Sequence, residues 1–363
     1  MNIGIPKERR PFEFRVGLTP IGVQLLSKQG HICYIEHEAG LGAGFSDNEY
    51  EQAGARIVYS PYEVFGRADL LLKVARPLYD ELEWLRPQSA IAGLFHLRSA
   101  RLDKIDIMQE KEITAIAYEQ ISLPDGSGPI RHPLSLIGGR LAAQIGARLM
   151  QNDAGGKGIL LGGEAGIPPA EVAVIGAGVA GNAAIKAFLG LGAHVTVLDN
   201  DLLALRQVYD SYPGIVTMIS HQRNLTRVCT YADIVIGTIL VPGERTPIVI
   251  TREMVRGMRP RSIIMDISID EGGCVETSRP TTHEHPTFIE EGVIHYCVPN
   301  IPSVVARTST YAFENAAFPF ILEMVTKGID KAISENPAIE MGAALLRGEL
   351  RQITRINPSG QTE

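Results

Sequence analysis

Cysteine is scarce and scattered in this sequence: four residues in 363, Cys33, Cys229, Cys274 and Cys297, with no C-x-x-C pair and no histidine at zinc-ligand spacing. That excludes a disulfide-stapled miniprotein, makes a metal site unexpected, and fits free thiols in a reducing compartment. Basic charge is not in excess either. Lys and Arg number 34 against 41 Asp and Glu, a net charge of −7, and no basic tract offers a stripe for nucleic-acid phosphates. No apolar run approaches the ~20 residues needed to cross a bilayer, and residues 1–8 lack both a long apolar core and a small-residue cleavage site. The expectation is a cytoplasmic protein without nucleic-acid, membrane or metal partners. Aromatics are few at 6%, whereas glycine reaches 37 residues, a balance suited to many tight strand-to-helix turns. With 45% hydrophobic and 21% charged residues the chain is globular. At ~150 residues per domain its length predicts two domains.

Short β-branched runs alternate with amphipathic stretches almost from the first residue, the pattern of parallel α/β units. Residues 2–5, 31–36, 68–74 and 89–96 read as strands, and Thr19-Pro20 opens a helix that stops at Gly30. A second set begins near residue 170. Residues 232–237 echo 68–73, and 262–267 parallel the strand that ends at His96. The expected fold class is α/β, two Rossmann-like doubly wound domains with a cleft between them. Residues 137–150 read as a connecting helix, and 310–335 as a helix kinked or broken at Pro319. A C-terminal return to the first domain makes that domain discontinuous: residues 1–128 with 305–363 for substrate, and 129–304 for the nucleotide. The glycine-rich residues 155–166 read as a hairpin without chemistry, since no G-K-[ST] ending is present.

The sharpest motif is V-A-V-I-G-A-G-V-A-G at residues 172–181, a G-x-G-x-x-G between an apolar strand and a helix. Gly176 permits the tight turn, Gly178 lets backbone approach a pyrophosphate, and Gly181 allows the helix to pack closely, with Val179 and Ala180 in its first turn. Residues 194–199 form the next strand and end in Asp199, 18 residues after Gly181, placed to accept a ribose diol and to repel a 2′-phosphate. NAD is the expected cofactor.

Four ionisable residues stand in apolar or turn-like surroundings. Arg15 follows the first strand, where a guanidinium can grip a carboxylate bidentately. Lys73 closes the run Leu-Leu-Leu-Lys, where a buried ammonium needs an anion. His96 ends another apolar run and exchanges a proton near neutral pH. Asp270 lies past a strand of the nucleotide domain. Singly, each also reads as a satisfied structural residue: an ion pair for Arg15 or Lys73, a core histidine, a cap. Jointly, at strand ends of two domains flanking a nucleotide fold, they point to an active site.

At these residues the sequence resembles the alanine dehydrogenase family, which shares its fold with the NAD-binding subunit of proton-translocating transhydrogenase. The similarity runs through residues 4–8, 14–16, 70–74, 95–97, 139–144, the glycine motif, 266–273, 278–286 and 308–311. The resemblance implies that Arg15 and Lys73 hold the substrate carboxylate and carbonyl and that His96 and Asp270 handle protons. It also implies cofactor contacts from Ser135, Ile267, Ser268, Ile269, Asp270, Arg279, Val298 and Asn300, and from Ile239 and Leu240 beyond the third nucleotide-domain strand. A homohexamer is implied as well. The activity implied is reversible oxidative deamination of L-alanine, or a similar small amino acid, to its 2-oxo acid and ammonia.

Departures from the family pattern cluster around the expected cleft: Leu136 in place of an acid, Arg98 after His96-Leu97, Pro299 before Asn300, and Ala306 before Arg307. They leave the substrate side chain open. Arg98 admits a substrate with a second acidic group on one reading and is a solvated surface charge on the other. Two further functions stay in view: an opine-type dehydrogenase that uses an amine larger than ammonia, and a non-catalytic NAD-binding module like the transhydrogenase subunit.

Overall fold

The computed structural model describes residues 1–96, 102–241 and 245–351. Two compact units form, Met1–Leu134 with the chain from Ser303 onward, and Ser135–Pro302. The boundary falls inside the helix Arg131–Leu149.

The first unit is built on β1 (Asn2–Ile5), β2 (Ile32–Glu36), β3 (Arg56–Val58), β4 (Leu70–Ala75), β5 (Ala90–Leu94) and β6 (Thr114–Ala117), all parallel. The second holds β7 (Glu171–Ile175), β8 (His194–Asp199), β9 (Val216–Ile219), β10 (Ile234–Gly237), β11 (Ile263–Asp266), β12 (Thr287–Glu290) and β13 (Val293–Tyr296). The antiparallel edge of the first sheet comes from β14 (Ala343–Leu346) and β15 (Glu349–Leu350). Strand orders are β15-β14-β6-β5-β4-β1-β2-β3 and β12-β13-β11-β10-β7-β8-β9. Both run third, second, first, fourth, fifth from one edge, so the short sequence echo reflects one doubly wound topology used twice. Its switch points lie between β1 and β4 and between β7 and β10, and ligands gather at the carboxyl ends of strands there.

Strand alternation sorts the residues of β4. Leu70, Leu72 and Val74 join Ile3, Ile35 and Phe313 in one core, whereas Leu71 joins Val64, Leu82 and Ile91 in the core on the opposite face. Lys73 shares the face of Leu71 by the two-residue period. Covering both faces requires near-continuous apolar strands, which is why 70–72 is Leu-Leu-Leu. Thr19 caps the helix Pro20–Ser27, accepting from Gly22 N at 3.4 Å. Its own amide donates to Glu314 Oε2 at 2.8 Å, tying the start of the chain to the helix Ala306–Lys327.

Three expectations need correction. The C-terminal helix runs unbroken through Pro319 and ends at Gly328, whose φ of +85° stops it before the helix Ile329–Glu335. Phe313, Ala317 and Ile321 sit in one core and keep the helix continuous across the proline, whereas the left-handed glycine ends it. Residues 155–166 form turns rather than a hairpin. Gly155, Gly158, Gly163 and Gly166 all adopt positive φ, and an isolated Glu164–Ile167 bridge is their extended pairing. Finally, β10 is the fourth strand of its unit, not the third, because the short, half-exposed β9 precedes it.

Candidate active site

At the carboxyl end of β7 the chain turns sharply through Gly176, at φ +106°, whose amide donates to Leu198 O at 2.7 Å. A Cβ there would lie 2.8 Å from Thr238 Oγ1, and one on Gly181 would fall 1.9 Å from Gly176 O. Gly178 differs: a Cβ added to it meets nothing within 4 Å. The protein's own packing therefore demands glycine at 176 and 181 but not at 178, where the bare backbone caps the helix Val179–Gly190 and leaves room for a group to approach its amides. Gly178 and Val179 are exposed, Ala180 half-buried. Asp199 ends β8, its Oδ2 accepting from Ala177 N at 2.6 Å and its Oδ1 from Asp201 N at 2.9 Å, so a fixed carboxylate stands beside the glycine turn. Open amides at a helix start with an acid one strand over fit a dinucleotide with a ribose diol. Thr238, which the motif search missed, donates between Ile175 O (3.0 Å) and Gly176 O (2.9 Å) and holds the turn. Its signal was a lone hydroxyl after the apolar run of β10.

Beyond β11 a one-turn 3-10 helix, Ile267–Glu271, carries Ser268, Ile269 and Asp270. Asp266 folds the loop back, accepting the amides of Cys274 (2.9 Å) and Val275 (3.2 Å), while burial lifts its pKa above the ordinary aspartate value. Asp270 is brought to Asn300, whose amide donates to Oδ2 at 3.2 Å. Asn300 adopts φ +57°, a strained backbone of the kind held at functional sites. Val298 is buried nearby in sequence, Ile239 packs against the core, Leu240 is exposed, and Ser135 is half-buried on the helix Arg131–Leu149. The Arg279 guanidinium stacks 4.3 Å over Phe288 of the edge strand β12.

In the first unit Glu13 clamps Arg15, with Nε to Oε1 and Nη2 to Oε2 both at 2.7 Å, fixing the guanidinium plane. Just after it, Gly17 presses on β4 so closely that a Cβ would lie 2.2 Å from Leu72 O. His96, following β5, adopts φ +45°, and its amide donates to Glu119 Oε1 at 2.6 Å beside Phe95 N to Oε2 at 3.0 Å. Two more residues escaped the sequence reading. Arg76, directly after β4, donates from Nη1 to His96 O at 3.4 Å, and Arg10 donates from Nε to Arg76 O at 2.8 Å. Since Glu13 N in turn bonds Arg10 O at 3.1 Å, a chain of contacts runs from the Arg15 turn to His96.

Lys73 is held in place by two acids of its own unit. Its Nζ is fully buried between Glu8 (3.0 Å) and Glu81 (2.8 Å), both nearly buried themselves. Burial opposes its charge, but the two carboxylates outweigh that and raise its pKa above the ordinary lysine value. The two acids hold the ammonium in an ion triad on one face of β4 and take two of its three N–H donors. Arg98, with Leu97, lies outside the described residues.

Both units have relatives among known proteins. Residues 4–135 match the family described as alanine dehydrogenase/PNT, N-terminal domain, and residues 142–353 its C-terminal domain. The alanine dehydrogenase of Methanococcus maripaludis is 42% identical over 353 residues, 96% of this chain and 94% of that protein. That of Mycobacterium tuberculosis is 42% identical over 351 residues, with the same shares of the two chains. Among solved structures, an L-alanine dehydrogenase superposes with a TM-score of 0.92 at 38% identity, covering 99% of this chain and 98% of that one. A transhydrogenase from Sinorhizobium meliloti reaches 0.84 at 25% identity, covering 97% and 100%. Two doubly wound units, a dinucleotide turn and near-complete coverage by both domain families place this chain in the alanine dehydrogenase/PNT family.

Proposed function

We propose that this chain is an NAD-dependent amino acid dehydrogenase that interconverts L-alanine, or a similar small amino acid, with its 2-oxo acid and ammonia. The observation that carries the reading is the open amide turn at Gly178, flanked by Asp199, in a chain whose length matches alanine dehydrogenases almost end to end. In the aminating direction the balance is 2-oxo acid, ammonium, NADH and a proton to amino acid, NAD and water. When bound, the nicotinamide supplies the hydride to the α carbon, or accepts it in deamination. The turn 176–181 holds the pyrophosphate, and Asp199 the ribose, excluding a 2′-phosphate by charge. Asp270 and Asn300, joined by a hydrogen bond, would contact the cofactor, with Ser135, Ile267, Ser268, Ile269, Arg279, Val298, Ile239 and Leu240 as further contacts.

Arg15, its plane fixed by Glu13, grips the substrate carboxylate. His96 moves protons to and from the α-carbon's oxygen and nitrogen substituents, its backbone held by Glu119, and Asp270 is a second proton-handling group. Holding the reacting carbon ~3 to 3.5 Å from its hydride partner is the main task left to the protein. The reading extends to a cytoplasmic homo-oligomer, a hexamer as the family resemblance implies, which light scattering on the purified protein tests.

The test of the reaction is NADH oxidation with ammonium across a panel of 2-oxo acids. Ammonium-dependent turnover is expected with pyruvate or a near relative. Turnover only with larger amines would support opine-type chemistry instead, and NADH binding without any turnover would support a non-catalytic module.

A further inference from the structure

At the carboxyl end of β4 two cations, Arg76 and Arg10, lie together without an ion pair among the described residues. Arg76 is half-buried; its Nη1 has the long bond to His96 O at 3.4 Å, and its Nε, shut off from solvent, has no acceptor among the described residues. Arg10 lies against it through the bond from Nε to Arg76 O. Neither guanidinium meets a carboxylate at ion-pair distance among the described residues. The acid that faces them, Glu119, has both oxygens committed to the amides of Phe95 and His96. Lys104 adds positive charge, its Nζ donating to Pro77 O at 3.2 Å.

Two half-buried guanidiniums side by side repel each other and are offset only in part by Glu119, a costly arrangement unless a further anion completes it. Burial first, and then the charge of Arg10, pull the pKa of Arg76 below that of an ordinary arginine, with Glu119 restoring part. The place is telling as well, since Arg76 touches the main chain of His96, the proposed proton carrier.

We propose that Arg76, backed by Arg10, binds the distal carboxylate of a dicarboxylic substrate, so that four-carbon diacids of the aspartate and oxaloacetate type are preferred over alanine and pyruvate. This rests on the dehydrogenase reading above, in which Arg15 takes the α-carboxylate and the second carboxylate is left for another cation. It assigns to described residues the role that sequence alone offered to Arg98.

The test is calorimetric titration of the full chain, saturated with NADH so that no deamination occurs, using L-aspartate, L-alanine and inorganic phosphate, alongside kcat/KM for oxaloacetate and pyruvate with ammonium and NADH. Aspartate is expected to bind at least about tenfold tighter than alanine, as one charge-assisted pair allows. R76M should cut the aspartate-to-alanine ratio by about tenfold or more, with R76K between. The wild-type ratio stands even if R76M folds poorly. An aspartate affinity no greater than alanine's, an R76M effect equal for both, or phosphate competing as well as aspartate would overturn the inference. Turnover of pyruvate with flat aspartate binding would refute it and leave the dehydrogenase reading standing. Tight, Arg76-dependent aspartate binding without turnover would do the reverse.

Discussion

Replacing Lys73 by methionine separates a structural ion triad from a substrate ligand. Nζ is fully buried, and the side chains of Glu8 and Glu81 are each about 2% exposed. K73M removes the ammonium shared by both acids and leaves Glu81 only the Arg9 guanidinium at 3.7 Å, and breaking a buried pair in this way costs about 3–5 kcal/mol. In a unit of this size each kcal/mol moves the melting temperature by about 2–4 °C, so the loss is about 6–20 °C. The pH dependence has a definite sign. With its pKa raised in the fold, Lys73 contributes stability below the ordinary lysine value, and this is lost as pH rises through the raised one. Wild type and K73M should therefore converge only above about pH 10.4. The assays are thermal unfolding from pH 7 to 11 and steady-state kinetics well below the melting transition, where K73M should keep kcat/KM within about threefold. An unchanged melting temperature with kcat/KM down a hundredfold or more would refute the structural role and return Lys73 to the substrate.

Other outcomes follow from the same geometry. G178A should fold with an unchanged melting temperature yet lose about tenfold or more in NADH affinity by fluorescence titration, whereas G181A should lose stability as well, its Cβ being 1.9 Å from Gly176 O. H96A and D270N should keep NADH affinity and lose most of kcat; unchanged rates in both would remove them from the mechanism. Burial raises the pKa of Glu314, so its contribution to stability is full below the ordinary value of 4.5 and fades as pH rises through the folded one. The melting temperature of E314Q relative to wild type should accordingly climb between pH 4 and 7, and a constant difference would contradict the assignment.

Much of the fold was legible because parallel strands covered on both faces write themselves as apolar runs, and β4, β5, β7, β10 and β11 all do. The short β9, V-T-M-I and half-exposed, has no such run and was missed. Pro319 misled because a local rule about one amide was outweighed by core contacts on both sides of it. The nucleotide turn was readable since its three glycines, strand, helix and acid are contiguous. The Lys73 triad was not, for Glu8 is 65 residues away and only folding brings the two together. Arg76 likewise looks like any strand-end arginine until its missing acceptor and its neighbour Arg10, 66 residues distant, are seen.

The central claim is that hydride passes between an amino acid's α carbon and the nicotinamide on this chain. Incubating the purified protein with NAD and L-alanine or L-aspartate deuterated at the α carbon, then reading the reduced cofactor by proton NMR, tests it most directly. The account predicts one deuterium at the C4 position of the NADH formed, with stoichiometric release of ammonia. NADH formed without the label, or no reduction with either amino acid while NAD is bound, would contradict it.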